Sequence, residues 1–155
     1  ETEAIKNLRS TYCYLVDAGV AGDASKLDEL VDLFTDDARC EYGDYATLEG
    51  KEAIGQFFKE LIPSVLSYSA HMVHNPIIEL DGDSAKGKWY FEAPCTFTAA
   101  NRATWAQGKY IEDYVKVDGI WKWKSLKVIF DYFTSFDEGW VITKDLIRQL
   151  FPEIK

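Results

Sequence analysis

The sequence predicts an α+β cone, with helices packed in a curved antiparallel sheet. Three observations lead there. Apolar residues recur at three- and four-residue spacing as far as Ile62, which is the helical period. From His71 to about Phe133 the pattern changes to long runs of β-branched and aromatic residues separated by Asp-Gly turns. The 155-residue chain also carries five Trp, nine Tyr and nine Phe, enough to line an apolar interior. Helices followed by a meander of long strands is the α+β arrangement, and a strongly bent sheet wrapped around a long helix encloses a cavity suited to small ligands. The length corresponds to one domain, residues 1–155, able to bury a sizeable core.

The elements follow in order. Ile5, Leu8, Tyr12 and Leu15 form the apolar stripe of a first helix, which Gly19 and Gly22 end. Ser25 and Asp28 resemble a capping box opening a second helix, with Leu27, Leu30, Val31 and Phe34 as its stripe and Thr35-Asp36-Asp37 as its close. Ala38 to Tyr42 reads as a short strand. Gly50 precedes a third helix whose buried side is Ile54, Phe57, Phe58, Leu61 and Ile62, and Pro63 kinks or ends it. Four long strands are expected over 71–80, 86–98, 104–117 and 120–133. In the last, Trp121 and Trp123 are odd while Leu126, Val128, Phe130 and Tyr132 are even, so a bulge near Lys124-Ser125 is needed to keep them on one face. A short helix over 143–151 closes the chain.

Composition excludes several functions. Hydrophobic residues at 47% and charged residues at 28% belong to a soluble globular protein. A net charge of −9 argues against nucleic acid and anionic membranes as partners. No apolar run reaches the ~18–20 residues of a membrane span. No basic-then-apolar leader is present; as the chain does not begin with Met, that says little about targeting. Cys13, Cys40 and Cys95 fit neither a zinc site nor a disulfide framework and read as reduced, buried thiols of a cytoplasmic protein. His71 and His74, three apart on a strand, point to opposite faces and chelate poorly, and no Gly-rich phosphate loop occurs. Neither a metal nor an organic cofactor is expected.

Both histidines lie in Ser69-Ala70-His71-Met72-Val73-His74-Asn75-Pro76. Histidine titrates near neutrality, so proton transfer is the chemistry to look for. His71 suits a general base and Asp17 the acceptor that fixes its tautomer, with Tyr12 and Tyr42 as phenolic donors to a developing oxyanion. The plainer alternative keeps Tyr12 as a core residue and Asp17 as a solvated helix end. Tyr12 and Asp17 are five apart, roughly 140° around a helix, and share a face only if the helix loosens before Gly19. Trp89 and Phe91, with Phe57, Trp105 and Phe130, are candidates to line a pocket for a flat aromatic or polycyclic ligand, or else simply to form an aromatic core. Tyr14 is a further, second-rank candidate, with His74 and Asn75. His74 is opposite in parity to His71 and faces away.

The chain also resembles a known family. Thr11-Tyr12-Cys13-Tyr14-Leu15-Val16-Asp17, Leu33-Phe34-Thr35-Asp36-Asp37-Ala38, Gly50-Lys51-Glu52-Ala53-Ile54, the histidine segment and Tyr132-Phe133-Thr134-Ser135-Phe136-Asp137-Glu138-Gly139-Trp140 are similar to marks of the nuclear transport factor 2-like superfamily, SnoaL-like branch. Within it the chain looks most like the scytalone dehydratases and bile-acid 7α-dehydratases. That resemblance implies His71 as proton acceptor and donor, Tyr12 and Tyr42 polarising a substrate carbonyl, and Asp17 beside them. The implied reaction is cofactor-independent loss of water from a hydroxylated aromatic or polycyclic compound. The departures are Trp89 where scytalone dehydratases have a second His, and Ala93 and Phe130 where the bile-acid enzymes have Asp and Arg. An isomerase or cyclase of the same fold, or a non-catalytic binding or assembly subunit, is the alternative. A homodimer or homotrimer is expected through the outer sheet face, with Tyr90, Tyr110 and Tyr114 exposed on it.

Overall fold

The computed structural model describes residues 1–153. Helix α1 (Thr2–Val20) is followed by α2 (Ser25–Asp32), strands β1 (Phe34–Tyr42) and β2 (Ala46–Glu49), and α3 (Gly50–Gln56). A π-helical turn (Phe57–Leu61) and α4 (Ile62–Val65) lead into β3 (Leu66–Ser69), β4 (Met72–Asp81), β5 (Ser84–Phe97), β6 (Arg102–Val117) and β7 (Ile120–Ser135), and α5 (Leu146–Leu150) comes last. The sheet runs β2-β1-β7-β6-β5-β3, with β4 also on β5. It is curved and unclosed, as the α+β cone requires. Its pairings are antiparallel except β1 with β7, which are parallel.

Several local expectations are corrected. Phe34 belongs to β1, because Leu33 already accepts a sheet-side bond from the Trp123 N–H at 2.9 Å. Ser25 bonds Asp23 at 2.6 Å and caps nothing. Gly19 lies within α1 and does not end it; a Cβ there would come 2.1 Å from the Leu27 side chain, so glycine lets α2 close against α1. The short strands β2 and β3 carry no alternation long enough to read. Tyr110 and Tyr114 face inward, 3% and 2% exposed, because the even residues of β6 form its concave face.

The core lies between α1 and that concave face. Ile5, Leu8, Tyr12 and Val16 pack against Trp123, Leu126 and Val128, with the Tyr12 and Trp123 rings 5.5 Å apart. Two bulges on β7 maintain this packing. Asp113 pairs with Ser125 and Tyr114 with Trp123, leaving Lys124 as the extra residue where the parity change requires one. A second bulge, at Asp131, follows from Gly108 pairing with Phe130 and Gln107 with Tyr132. It turns Phe133 inward and Tyr132 outward. Gly108 accommodates it: a Cβ there would lie 2.1 Å from the Ile129 carbonyl oxygen.

Candidate active site

His71 does not lie on a regular strand; it sits between β3 and β4. Both strands pair with β5, and the ladder opens between Ser69–Cys95 and Met72–Glu92. The cause is Pro94. Its carbonyl accepts from the Ala70 N–H at 3.0 Å, but proline has no N–H to return. The Ala70 carbonyl is thereby left without a strand donor, and the next residue turns to α1: the His71 N–H donates to Asp17 Oδ2 at 2.8 Å. Asp17 Oδ1 also accepts from the Ser69 hydroxyl and meets His71 Nδ1, each at 2.7 Å. Burial works to raise the Asp17 pKa, but these bonds and the imidazole outweigh it and hold the carboxyl below its ordinary value. An ionised carboxylate only accepts, so Nδ1 carries the proton and Nε2 is left as the basic nitrogen. Helix α1 stays helical to Val20, so no loosening is needed. Tyr12 and Asp17 approach His71 from different sides, the Tyr12 ring edge-on at 6.4 Å.

His71 opens onto a cavity of about 470 Å³ between the helices and the concave face of the sheet. Its polar lining includes Tyr12, Tyr42, Tyr110, Ser69 and Cys95; among the described residues no Lys or Arg lines it. The Tyr42 ring stacks on Phe57 at 4.8 Å, and its buried hydroxyl lies close to that of Tyr12 without an aligned hydrogen-bond partner among the described residues. Burial drives the Tyr12 and Tyr42 phenols well above their ordinary pKa, so both stay protonated and can donate. Burial also pushes the Cys95 thiol up to about 11, which makes it a poor nucleophile. Phe57, Phe91 and Phe130 form apolar wall, and Ile147 and Phe151 lie over the mouth. That cover is tied down where the Tyr45 hydroxyl donates to Asp145 at 2.8 Å and Arg148 pairs with Asp44 at 3.1 Å.

Three expected lining residues lie elsewhere. Trp89 faces inward but beyond the cavity, where its indole N–H donates to the Tyr114 hydroxyl at 3.1 Å. Trp105 has the opposite parity to buried Thr104 and Ala106, so it stands on the outer face, 5.9 Å from Trp140. Tyr14 is 80% exposed, because it lies on the side of α1 away from the sheet. His74 is also outside, stacked on Tyr90 at 6.3 Å. Ser69 was not singled out as a site residue from sequence, and Tyr110 was expected on the outer face instead of in the cavity. Two-residue spacing to His71 pointed to the first, and even parity on β6 to the second.

A larger open groove of about 930 Å³ lies at the opposite end of the strands, with Asp36, Asp81, Lys86 and Lys122 in its lining. It holds no histidine. No group of three or more His, Cys, Asp or Glu capable of holding a metal occurs among the described residues, and no described helix is long and apolar enough to cross a membrane.

No curated protein matches the chain. Solved structures do. A candidate scytalone dehydratase of Novosphingobium aromaticivorans DSM 12444 superposes with a TM-score of 0.78 at 24% identity, over 88% of this chain and 87% of that one. Hexachlorocyclohexane dehydrochlorinase LinA type 3 of Novosphingobium barchaimii LL02 gives 0.75 at 21%, over 87% and 89%. The β subunit of a candidate aromatic-ring-hydroxylating dioxygenase, also from N. aromaticivorans, gives 0.68 at 17%, over 83% and 88%. At these identities the likeness is one of fold, the nuclear transport factor 2-like cone. The SnoaL-like domain profile matches residues 1–127, and the chain belongs to the SnoaL-like family.

Proposed function

We propose that this protein is a cofactor-independent lyase, dehydratase-like, acting on a neutral hydroxylated aromatic or polycyclic ketone. The observation that carries the reading is the Asp17–His71 pair at the wall of an apolar cavity, its Nδ1 engaged at 2.7 Å and its Nε2 left basic. The substrate carbonyl accepts from the phenols of Tyr12 and Tyr42. Nε2 takes the proton from the carbon beside that carbonyl, the electron pair forms the C=C bond, and the C–O bond to the β-hydroxyl breaks. The departing hydroxide takes the proton back from His71 and leaves as water, and the imidazole is neutral again. Asp17 stabilises the transient imidazolium. A lining without Lys or Arg, with Glu153 at its edge, disfavours anionic substrates, since a buried carboxylate or phosphate would have no cation to pair with. The names of two fold neighbours, a dehydratase and a dehydrochlorinase, both describe eliminations and agree with this chemistry.

The test is a panel of cyclic β-hydroxy ketones, with product followed by the absorbance of the conjugated enone. Turnover by the parent chain and its loss in His71→Asn is the expected result. Ketones that bind in the cavity without any being turned over overturn the lyase reading.

A further inference from the structure

The proposed mechanism leaves one charged pair without a role. Arg9 on α1 and Glu112 on β6 are each 1% exposed, with Arg9 Nη1 3.0 Å from Glu112 Oε1. No guanidinium nitrogen of Arg9 has an aligned hydrogen-bond acceptor among the described residues. The guanidinium instead lies over aromatic rings: 3.7 Å from the Tyr110 centroid, 4.5 Å from Tyr12 and 5.6 Å from Trp123. Glu112 accepts from the Tyr114 hydroxyl, which in turn accepts from Trp89. Cys13 and Cys40 are the other titratable groups that feel the Arg9 charge.

Stability alone does not explain such a pair, because desolvating two charges offsets their attraction and an apolar pair of the same volume commonly serves as well. Its position does. Tyr110 and Tyr12 present one side to Arg9 and line the cavity with the rest. We propose that Arg9 is a positioning residue: its guanidinium clamps the Tyr12 and Tyr110 rings and draws electron density from them, strengthening phenolic donation to a carbonyl oxygen in the cavity. The proposal rests on the reading of that cavity as a carbonyl site. A fixed cation close to both rings, with water excluded, acts at a low effective dielectric and needs no reorganisation during reaction. Burial raises both phenol pKa values, and the Arg9 charge works against that rise.

The test uses 1-tetralone, a bicyclic aromatic ketone, bound to the full chain. Its carbonyl stretch is read by infrared difference spectroscopy and its affinity by calorimetry. Tyr12→Phe, Tyr42→Phe and Tyr110→Phe report whether the carbonyl meets the phenols at all. The neutral, volume-matched double variant Arg9→Met/Glu112→Gln is expected to move the stretch to higher wavenumber and weaken binding about three- to ten-fold, the effect of one weakened hydrogen bond. Arg9→Lys, which keeps the charge, is expected to restore much of the parent's stretch. If the double variant does not fold, Glu112→Gln alone leaves the Arg9 charge uncompensated and is expected to move the stretch to lower wavenumber. An unchanged stretch in these folded variants, with the tyrosine variants still shifting it, overturns the role of Arg9 and leaves the carbonyl site standing. Absence of binding, or tyrosine variants that shift nothing, overturns the carbonyl site and the inference with it.

Discussion

At His71, one backbone defect and one carboxylate act together. Pro94 cannot complete its bond pair with Ala70, and Asp17 takes both the His71 backbone N–H and the ring Nδ1–H. His71→Asn keeps a polar side chain and removes the titrating base, so turnover is expected to fall by about 10²- to 10⁴-fold, the usual span of general acid–base catalysis. His74→Asn, on the outer face, is expected to leave rates within about two- to three-fold, as it removes no acid–base group from the cavity. Asp17→Asn tests the carboxylate through stability as well as rate. The folded-state pKa of Asp17 is depressed, so its contribution is present above the unfolded value of about 4 and is lost as pH falls through the lower folded value. In urea unfolding at neutral pH, Asp17→Asn is expected to cost about 1.5–3 kcal/mol, the range for a hydrogen bond to a charged group. That deficit should narrow as pH falls below about 4 and close beneath the lower folded value. A deficit that stays constant down to pH 2 would show that the charge of Asp17 contributes nothing.

Among the elements, β7 decides what the cavity wall presents. The bulge at Lys124 carries the inward face from Trp121 and Trp123 to Leu126, Val128 and Phe130, and the bulge at Asp131 hands it on to Phe133. Gly108→Ala places a methyl against the Ile129 carbonyl, so the second bulge must shift. The expected loss is about 1–3 kcal/mol, as for other overpacked sites, read by thermal or urea unfolding; a variant as stable as the parent would mean the bulge relaxes freely. The first bulge was legible because an apolar run changes parity there. The second was not, since Tyr132 and Phe133 are both aromatic and parity cannot tell which of them turns in. Similarly, Leu27, Leu30, Val31 and Phe34 continue one helical stripe, but Leu33 and Phe34 are claimed by sheet partners that no local pattern reveals. The pairing of Asp17 with His71 needed the family resemblance, because helix geometry alone set Tyr12 and Asp17 on different faces. Arg9 had only one hint, its partner's position: Glu112 interrupts the inward-facing even residues of β6 and therefore needs a buried cation.

For the whole molecule, the outer face of the sheet is the remaining apolar surface. The expected contribution of Tyr110 and Tyr114 is withdrawn, since both are interior. What replaces it is a cluster in which Trp105, Tyr132 and Trp140 pack together, with the Tyr132 and Trp140 rings stacked at 5.0 Å. Phe136 stacks on Trp105 and is 69% exposed, and Val141 and Ile142, which follow Trp140 in the chain, are 86% and 75% exposed. Contiguous aromatic and aliphatic surface of this kind is what interface cores are made of, and a monomer rarely leaves it in water. The flanking charges are already paired within the chain, Arg102 with Asp137 at 2.8 Å and Lys109 with Asp131 at 2.8 Å, so they add a polar rim with little unpaired charge. We therefore expect a homodimer or homotrimer by sedimentation equilibrium at micromolar concentration. Ile142→Glu places a charge on the exposed apolar segment that follows Trp140 and does not line the cavity. It is expected to shift the population towards monomer by at least about ten-fold in the dissociation constant, the effect of some 1.4 kcal/mol, with unfolding temperature read in parallel to exclude a folding defect. A parent chain that sediments as a monomer at these concentrations removes the assembly, while an oligomer indifferent to Ile142→Glu moves the interface to another face of the sheet.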